Sequence, residues 1–581
     1  MKQRLLVSSI IMGLCASLSI GNAHAQSSDD QSSDQKKKET TELQPVMVTG
    51  SLIPRAQIET ATPVVTITSQ DIEKQGFKNV YDALRSLPTA VGSVQDSQFT
   101  NSFTPGANTV ALLGLDPSFT LVLMNGKPLA DYPFLYNSNS NFVDLATIPN
   151  FLVDHIDIVP GNQSAIYGSA AIAGVINIVT KQKVDGVYLN YRTGGYTDGG
   201  GATERLQLAG GHSWGKLDAI FGIELNNQNP IWGYQRKYTD NAADNPTLHG
   251  GPPVAQRDRL LLDAFTGKYD DPGQATCSAI SNLFKGDEAY RTRANFGSYC
   301  GSTTGVAIGT FLNGVKSANG YGSLKYQLSD NVQLYGDILL NTTKTQYNVG
   351  GTAFWASNGG GIFGAEGGTV AYIYDIDDKK LVRLQHIFAP EEIRSEADGA
   401  VIEDSYVVNV GARGSFGSSN SWTYDIGFHR SEYDAASRAR RLLTDKVNAF
   451  FLGPQSGYDP FFAYYPAYHI RSTKYFGAIT PQDFDSISDF VRSNSETYTQ
   501  QLNATFTNTD LFSLPAGSVG FAGVIEGGNQ YWDNPVDPRI AAGEFWGTGG
   551  TSGHGTRDRL AAAAELNIPI FSMLTADVSG R

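Results

Sequence analysis

The side chains in this sequence that could carry chemistry are few and scattered. Cys277 and Cys300 are the two cysteines that remain once Cys15, inside the N-terminal apolar run, is set aside. A lone pair in an exported chain points to a disulfide rather than a metal site. A metal would need more ligands, and the segment between them contains no histidine. Asp375, Asp377 and Asp378 have a weak likeness to a cation-holding loop, and a solvated turn is the expectation. His155 stands alone and reads as a surface or hydrogen-bonded histidine. There is no HExxH, no GxSxG, no Walker loop and no clustered Cys/His set. The expectation is no catalytic residue, no metal site, no cofactor and no enzyme. What the chain has in quantity is aromatic side chains in its long irregular stretches. These are Trp232 and Tyr234; Phe354 and Trp355; and Tyr458, Phe461, Phe462 and Tyr464, with Phe450, Phe451 and Tyr465 nearby. Such rings can stack on sugars or apolar ligands, and equally on one another. Mutual packing is the first expectation; the eight named before Phe450 are the candidates for substrate contact.

These residues must be positioned by 581 residues that contain Gly 63, Tyr 28 and Phe 29 and are 41% hydrophobic. No mature stretch reaches about 18 uninterrupted apolar residues, which argues against a helical membrane protein. A formal net charge of -14 argues against a nucleic-acid surface. Lys2 and Arg4 precede the apolar run Leu5 to Leu14, and Ala23-His24-Ala25 is a small-x-small cleavage site. Residues 1–25 therefore read as a signal peptide. Residues 26–42 hold almost nothing apolar and read as a disordered leader. Within 43–50, Pro45-Val46-Met47-Val48-Thr49 is β-prone. It suits strand addition to a partner's sheet edge, and equally the first strand of the next domain.

A compact α/β segment follows. Val64 to Ile67, Leu121 to Met124 and His155 to Val159 read as strands. Asn79 can cap a helix whose Val80, Ala83, Leu84 and Leu87 share one face, stopped at Pro88. Asn125-Gly126 is a tight-turn signal. Gly161 to Thr180 crowds small residues ahead of the β-branched run Val175 to Val179. Composition alone makes that an ordinary loop–strand junction.

After Lys183 the sequence alternates. Trp422, Tyr424, Ile426 and Phe428 interleave with polar or small residues, as do Leu560, Ala562, Ala564, Leu566 and Ile568. Similar segments lie near 187–197, 203–213, 216–228, 320–328, 331–344, 403–415, 497–507, 517–530 and 572–581. About eleven such ten-residue segments are the pattern of a transmembrane β-barrel; soluble sandwich strands are usually shorter. Short links near 214–215, 329–330 and 418–420, and moderate ones near 508–516 and 569–571, alternate with long ones near 230–318, 345–400, 436–495 and 532–555. Periplasmic turns and extracellular loops show that asymmetry.

The strings SQDIEKQGFKNVYDALRSLP, TLVLMNGKPL, VDLATIPNFLVDHIDIVPG and SAIYGSAAIAGVINIVTK occur in that order. Together they resemble the plug domain of TonB-dependent outer-membrane receptors. The resemblance implies an α+β plug at 51–183 and, at 184–581, the N-terminal part of a 22-stranded antiparallel barrel. It makes 43–50 the TonB box, with Pro45, Val46, Met47, Val48 and Thr49 binding TonB. It makes Gly114, Leu115, Asn125, Gly126, Tyr167, Gly168, Gly174 and Asn177 plug-motif residues. Two departures stand out: Leu113 takes the place of a usual Arg, and Ala170 that of a usual acidic residue. The aromatic C-terminal residue usual in these barrels is absent, so about half of the barrel is expected. The implied function is nutrient import across the outer membrane of a Gram-negative bacterium, energised by TonB and its inner-membrane proteins. The implied partners are TonB, a small-molecule or oligosaccharide substrate and outer-membrane lipid. A passive porin or adhesin-like barrel is the alternative, disfavoured by the plug and coupling segment. A soluble, secreted β-rich binding protein is the third reading.

Overall fold

The computed structural model describes Ile53 and residues 64–91, 96–98, Thr104, 106–245, 254–348, 353–357, 372–393, 399–571 and 573–581. The expected signal peptide, the polar leader and Pro45 to Thr49 lie outside the described residues.

The first unit is a small mixed sheet. Strands β1 (Val65–Thr68), β2 (Thr120–Met124), β3 (Lys127–Pro128), β4 (Val153–Pro160) and β5 (Gly174–Thr180) lie in the order β1-β4-β5-β2-β3. β2 and β5 run parallel, and the other neighbours antiparallel. β5 is buried at every position, as a β-branched run between two other strands should be. Helix α1 (Ser69–Gln75) begins at a capping box in which Thr68 and Asp71 satisfy each other's backbone N–H groups. It stops at Gly76, φ 71°. Helix α2 (Val80–Arg85) is capped by Asn79 and buries Val80, Ala83 and Leu84. Periodicity marks α2 but not α1, whose core contribution is the single buried residue Ile72.

The second unit is one eleven-stranded antiparallel meander. Its strands are β6 (Gly186–Gly194), β7 (Thr203–Trp214), β8 (Leu217–Gln228), β9 (Gly314–Ser329), β10 (Val332–Tyr347), β11 (Gly399–Phe416), β12 (Trp422–Leu442), β13 (Ser488–Leu514), β14 (Gly517–Asn534), β15 (Gly553–Phe571) and β16 (Leu574–Gly580). Each pairs with the next in sequence. Links at 215–216, 330–331, 417–421 and 515–516 gather at one end. The strand ends that bound the connections 229–313, 348–398, 443–487 and 535–552 lie at the other. No helix among the described residues is long and apolar enough to cross a membrane.

The face of this sheet away from the plug carries exposed Leu324, Tyr326, Leu334, Val410, Ile426, Phe428, Leu502, Ile525 and Leu560. Register places them side by side across seven strands. In water such a band would be costly; against lipid it is favourable. Beyond it β12 and β13 continue to Leu442 and back from Ser488, farther than the alternation indicated. There the outward side chains are Arg430, Glu432, Asp434, Glu496 and Tyr498. Both faces are polar, so the period-two signal vanishes although the ladder continues.

Three of the long connections do not behave as separate loops. Strands 256–263, 289–293 and 297–302 from the first, 354–356, 373–375 and 380–387 from the second, and 455–458 and 466–468 from the third form one eight-stranded sheet. It encloses a core that includes Trp355, Leu384, Phe388, Phe451, Tyr475 and Phe484. Cys277 and Cys300 are joined by a disulfide in a separate buried cluster with Ile280, Leu283 and Phe284, their Cα atoms 5.2 Å apart.

Candidate functional site

The motif residues of the small unit lock one hairpin onto its central strand. Asn125 and Gly126 both have positive φ, 52° and 75°, the signature of the tightest hairpin turn. Asn125 accepts the Thr180 backbone N–H at 2.9 Å and donates to the Thr180 hydroxyl at 2.9 Å. The Asn177 side chain accepts the Gly126 N–H at 2.9 Å. A polar residue in the middle of buried β5 therefore has a definite task. At Gly174 a Cβ would meet Leu112 Cδ1 at 2.9 Å and overlap the Val159 carbonyl, so glycine is obligatory. Gly114 follows Leu113, which holds a left-handed φ of 57° and is 46% exposed. Leu115 is also exposed. Tyr167 packs with Leu123, Ala171 and Val175. Gly168 faces the last wall strands, where the Arg581 guanidinium donates to the Ile166 carbonyl at 2.7 Å.

The plug sits against the inner face of the wall. Its core runs without a break onto Ala209, Ile220, Tyr321, Leu339 and Val407 of β7 to β11. Four of these lie in one cross-strand row, Ala209–Gly222–Tyr321–Leu339–Val407, which then turns polar as Ser431–Thr499–Gln530. The contact follows that change. Phe151 fills the bare position at Gly222. Farther along, hydrogen bonds take over: Ala130 N–H to Ser431 Oγ at 2.9 Å, His429 Nε2 to the Pro128 carbonyl at 2.6 Å, and Trp532 Nε1–H to the Pro133 carbonyl at 2.8 Å. Two buried tyrosine–carboxylate pairs cross the interface in opposite senses. Tyr433 of the wall donates to Asp144 of the plug at 2.8 Å, and Tyr132 of the plug donates to Glu403 of the wall at 2.8 Å. Burial pushes the Asp144 carboxyl up, against the Asn108 and Ala146 backbone N–H groups and the Tyr433 hydroxyl that favour its charge.

At the far end the candidate aromatics divide. Trp355 is fully buried and its Nε1–H donates to Asn448 at 2.9 Å. Phe354 is half-buried against Trp546, ring centroids 5.3 Å apart. Trp232 and Tyr234 stack on each other, with Lys285 over the Tyr234 ring. These four are engaged within the loop assembly. Tyr458, Phe461, Phe462 and Tyr464 are exposed by 57–74%. Their turn is stiffened by Asp459, whose carboxylate accepts the N–H groups of Phe461, Phe462, Tyr464 and Tyr465 at 2.6–3.0 Å. Asp375, Asp377 and Asp378 form a hairpin turn, with Asp377 at 2.8 Å from His469. Among the described residues Glu432, Asp434 and Glu496 approach closely enough to hold a cation, but they lie on the outward face and Glu432 is bound by Arg430 and Tyr406. The sequence reading missed the seam residues Asp144, Glu403, Tyr132 and Tyr433. Nothing local marks them, because each pair joins positions hundreds of residues apart.

Residues 56–175 match the family model described as TonB-dependent Receptor Plug Domain. The fold is similar to that of the siderophore receptor PirA from Acinetobacter baumannii, at 16% identity and TM-score 0.45, covering 87% of this chain and 54% of that one. It is similar to a mutant ferric enterobactin receptor, PfeA, from Pseudomonas aeruginosa in complex with enterobactin, at 14% and 0.47, covering 89% and 58%. The ferripyoverdine receptor of Pseudomonas aeruginosa gives 10% and 0.49, covering 92% and 54%. The chain thus spans little more than half the length of these solved receptors.

Proposed function

From a chain that carries the plug of the TonB-dependent outer-membrane receptors, we infer an importer of a scarce nutrient across that membrane. The observation that carries this reading is the plug seated on the inner face of a sheet whose outer face is an apolar band. No covalent chemistry is involved. The wall supplies the path and the plug closes it. A small-molecule or oligosaccharide nutrient meets the exposed rings at Tyr458, Phe461, Phe462 and Tyr464 first. Energy comes from TonB, because the outer membrane has no ATP. Pro45 to Thr49 adds as a strand to the edge of TonB's periplasmic sheet; main-chain hydrogen bonds supply the affinity and alternate side chains set register. Pro45 lacks an N–H and fits at the strand's start. A pull through Gly50 and Ser51 loosens the polar seam while the wall's continuous ladders hold.

Replacing Val48 by Pro removes a donor and fixes φ in the middle of the added strand. In the complete receptor, Val48→Pro is expected to leave external substrate binding intact and to abolish energised uptake. Uptake at the unmodified rate would overturn the coupling and revive the passive-barrel reading.

A further inference from the structure

The loop sheet encloses a group of charges that does not balance. Asp258 and Arg259 lie on strand 256–263, Glu288 precedes strand 289–293, Ser302 ends strand 297–302 and Glu392 sits in the turn 390–392. All five are buried, from 0 to 2% exposed. Arg259 spends its guanidinium on Glu392, with Nη2 at 2.9 and 3.1 Å from the two carboxylate oxygens, and on the Ile387 and Asp258 carbonyls. Asp258 and Glu288 face each other, and the cation that acts on both is this same Arg259, already engaged by Glu392. Asp258 Oδ1 accepts the Gln256 amide at 2.8 Å. Glu288 and Ser302 lie beside Asp258, close enough for their side chains to act on its charge, yet among the described residues Asp258 Oδ2, both Glu288 oxygens and the Ser302 hydroxyl make no hydrogen bond of good geometry. His386, also buried beside Arg259, is held neutral: burial and the Arg259 charge push it well below the usual range.

Two facing carboxylates at this depth cannot both stay charged unless something positive lies between them. Burial first, and then the Asp258 charge, push the Glu288 carboxyl up to about 10. A proton is one answer, but it joins one pair of oxygens and leaves a second Glu288 oxygen without a partner of good geometry. A divalent cation satisfies all of them and cancels two negative charges. We propose that Asp258, Glu288 and Ser302 form a calcium site within the surface loops, with Gln256 orienting the Asp258 carboxylate. The donors are all hard oxygens, two of them bidentate-capable carboxylates, which suits calcium over softer metals. The site joins two strands of the disulfide-linked hairpin to strand 256–263: Ser302 pairs with Gln256 in register, and Cys300 with Arg259. Calcium therefore fastens the same corner of the loop sheet that the Cys277–Cys300 bridge fastens. At an extracellular face, affinity of about 0.1–1 mM is sufficient.

The test uses the purified full chain in detergent, disulfide intact, stripped with EGTA and titrated with calcium chloride by calorimetry. The expected result is one saturable calcium per chain and a melting temperature that rises with calcium. Glu288→Gln, which is isosteric and relieves the charge pair, is expected to weaken binding by about tenfold or more. In EGTA it should be at least as stable as the parent. Should Glu288→Gln fail to fold, Ser302→Ala removes a neutral ligand and is expected to weaken calcium binding severalfold. Absence of saturable binding to the folded parent overturns the proposal and leaves a shared proton as the answer. Equal binding by parent and both variants overturns it as well.

Discussion

The seating of the plug depends on one position where the wall offers no side chain. Gly222 of β8 faces the plug, and a Cβ built there would overlap the ring of Phe151. Phe151 is 9% exposed and belongs to the core that plug and wall share. Gly222→Ala therefore forces the ring aside or holds the plug away, at a cost of about 1–3 kcal/mol for overpacking. Phe151→Ala removes a buried aromatic ring and should cost about 3–5 kcal/mol. In the double variant the new methyl group enters space that the ring has left. The cost of the double variant should then fall short of the sum of the two single costs by about 0.5–3 kcal/mol, the range seen for residues in direct contact. Trp532 reports on seating, because its indole donates to the Pro133 carbonyl of the plug at 2.8 Å. Urea unfolding followed by fluorescence, with Trp532→Phe as the subtraction control, gives the four free energies of the cycle. Additivity within about 0.5 kcal/mol would show that Phe151 and Gly222 do not touch in solution and would refute this account of seating.

Other expected outcomes follow from the same contacts. Tyr433→Phe leaves Asp144 Oδ2 without the wall's hydroxyl; plug release in urea should become easier by about 1.5–3 kcal/mol, the range for a hydrogen bond to a charged group, and an unchanged midpoint would deny the seam its role. His155 is raised to about 9 by Asp157 first and Asp154 also, against burial. A raised histidine stabilises the plug fully below its unfolded pKa of about 6.5 and loses that contribution as pH climbs through about 9. His155→Gln should thus destabilise the protein at pH 6 and be neutral at pH 10, and an NMR titration placing His155 near 6.5 would contradict this. The Cys277–Cys300 bridge spans 23 positions, and Cys277→Ser should cost the loop sheet about 3 kcal/mol; thiol labelling of both cysteines in unreduced protein would show that no bridge forms.

What the sequence makes legible is whatever repeats locally. The outward residues of β9 to β15 alternate because one face meets apolar surroundings, so each strand of the wall announces itself. Asn125-Gly126 marks its turn because only a few residues take positive φ twice in succession. Asn79 marks α2 because a cap is a contact over three positions. The loop sheet is different. The strand at 373–375 pairs with 466–468 from another loop, and the strand at 256–263 pairs with 380–387. No window of the sequence contains both partners. Trp355 looks like Phe461 in composition, yet one is sealed in that sheet's core and the other projects from it. The tyrosine–carboxylate seam is hidden for the same reason, since Tyr132 and Glu403 are 271 positions apart.

The coupling segment carries the functional reading, and it can be tested without knowing the nutrient. A single cysteine placed by Val48→Cys in the complete receptor, against a series of single cysteines along the edge strand of TonB's periplasmic domain, reports pairing by disulfide capture in living cells. Strand addition predicts adducts whose partners step in register along one edge of TonB, and their loss in Met47→Pro. Capture at no position, or capture without register while the receptor is present and folded in the outer membrane, would contradict strand addition at Pro45 to Thr49 and with it the energised importer.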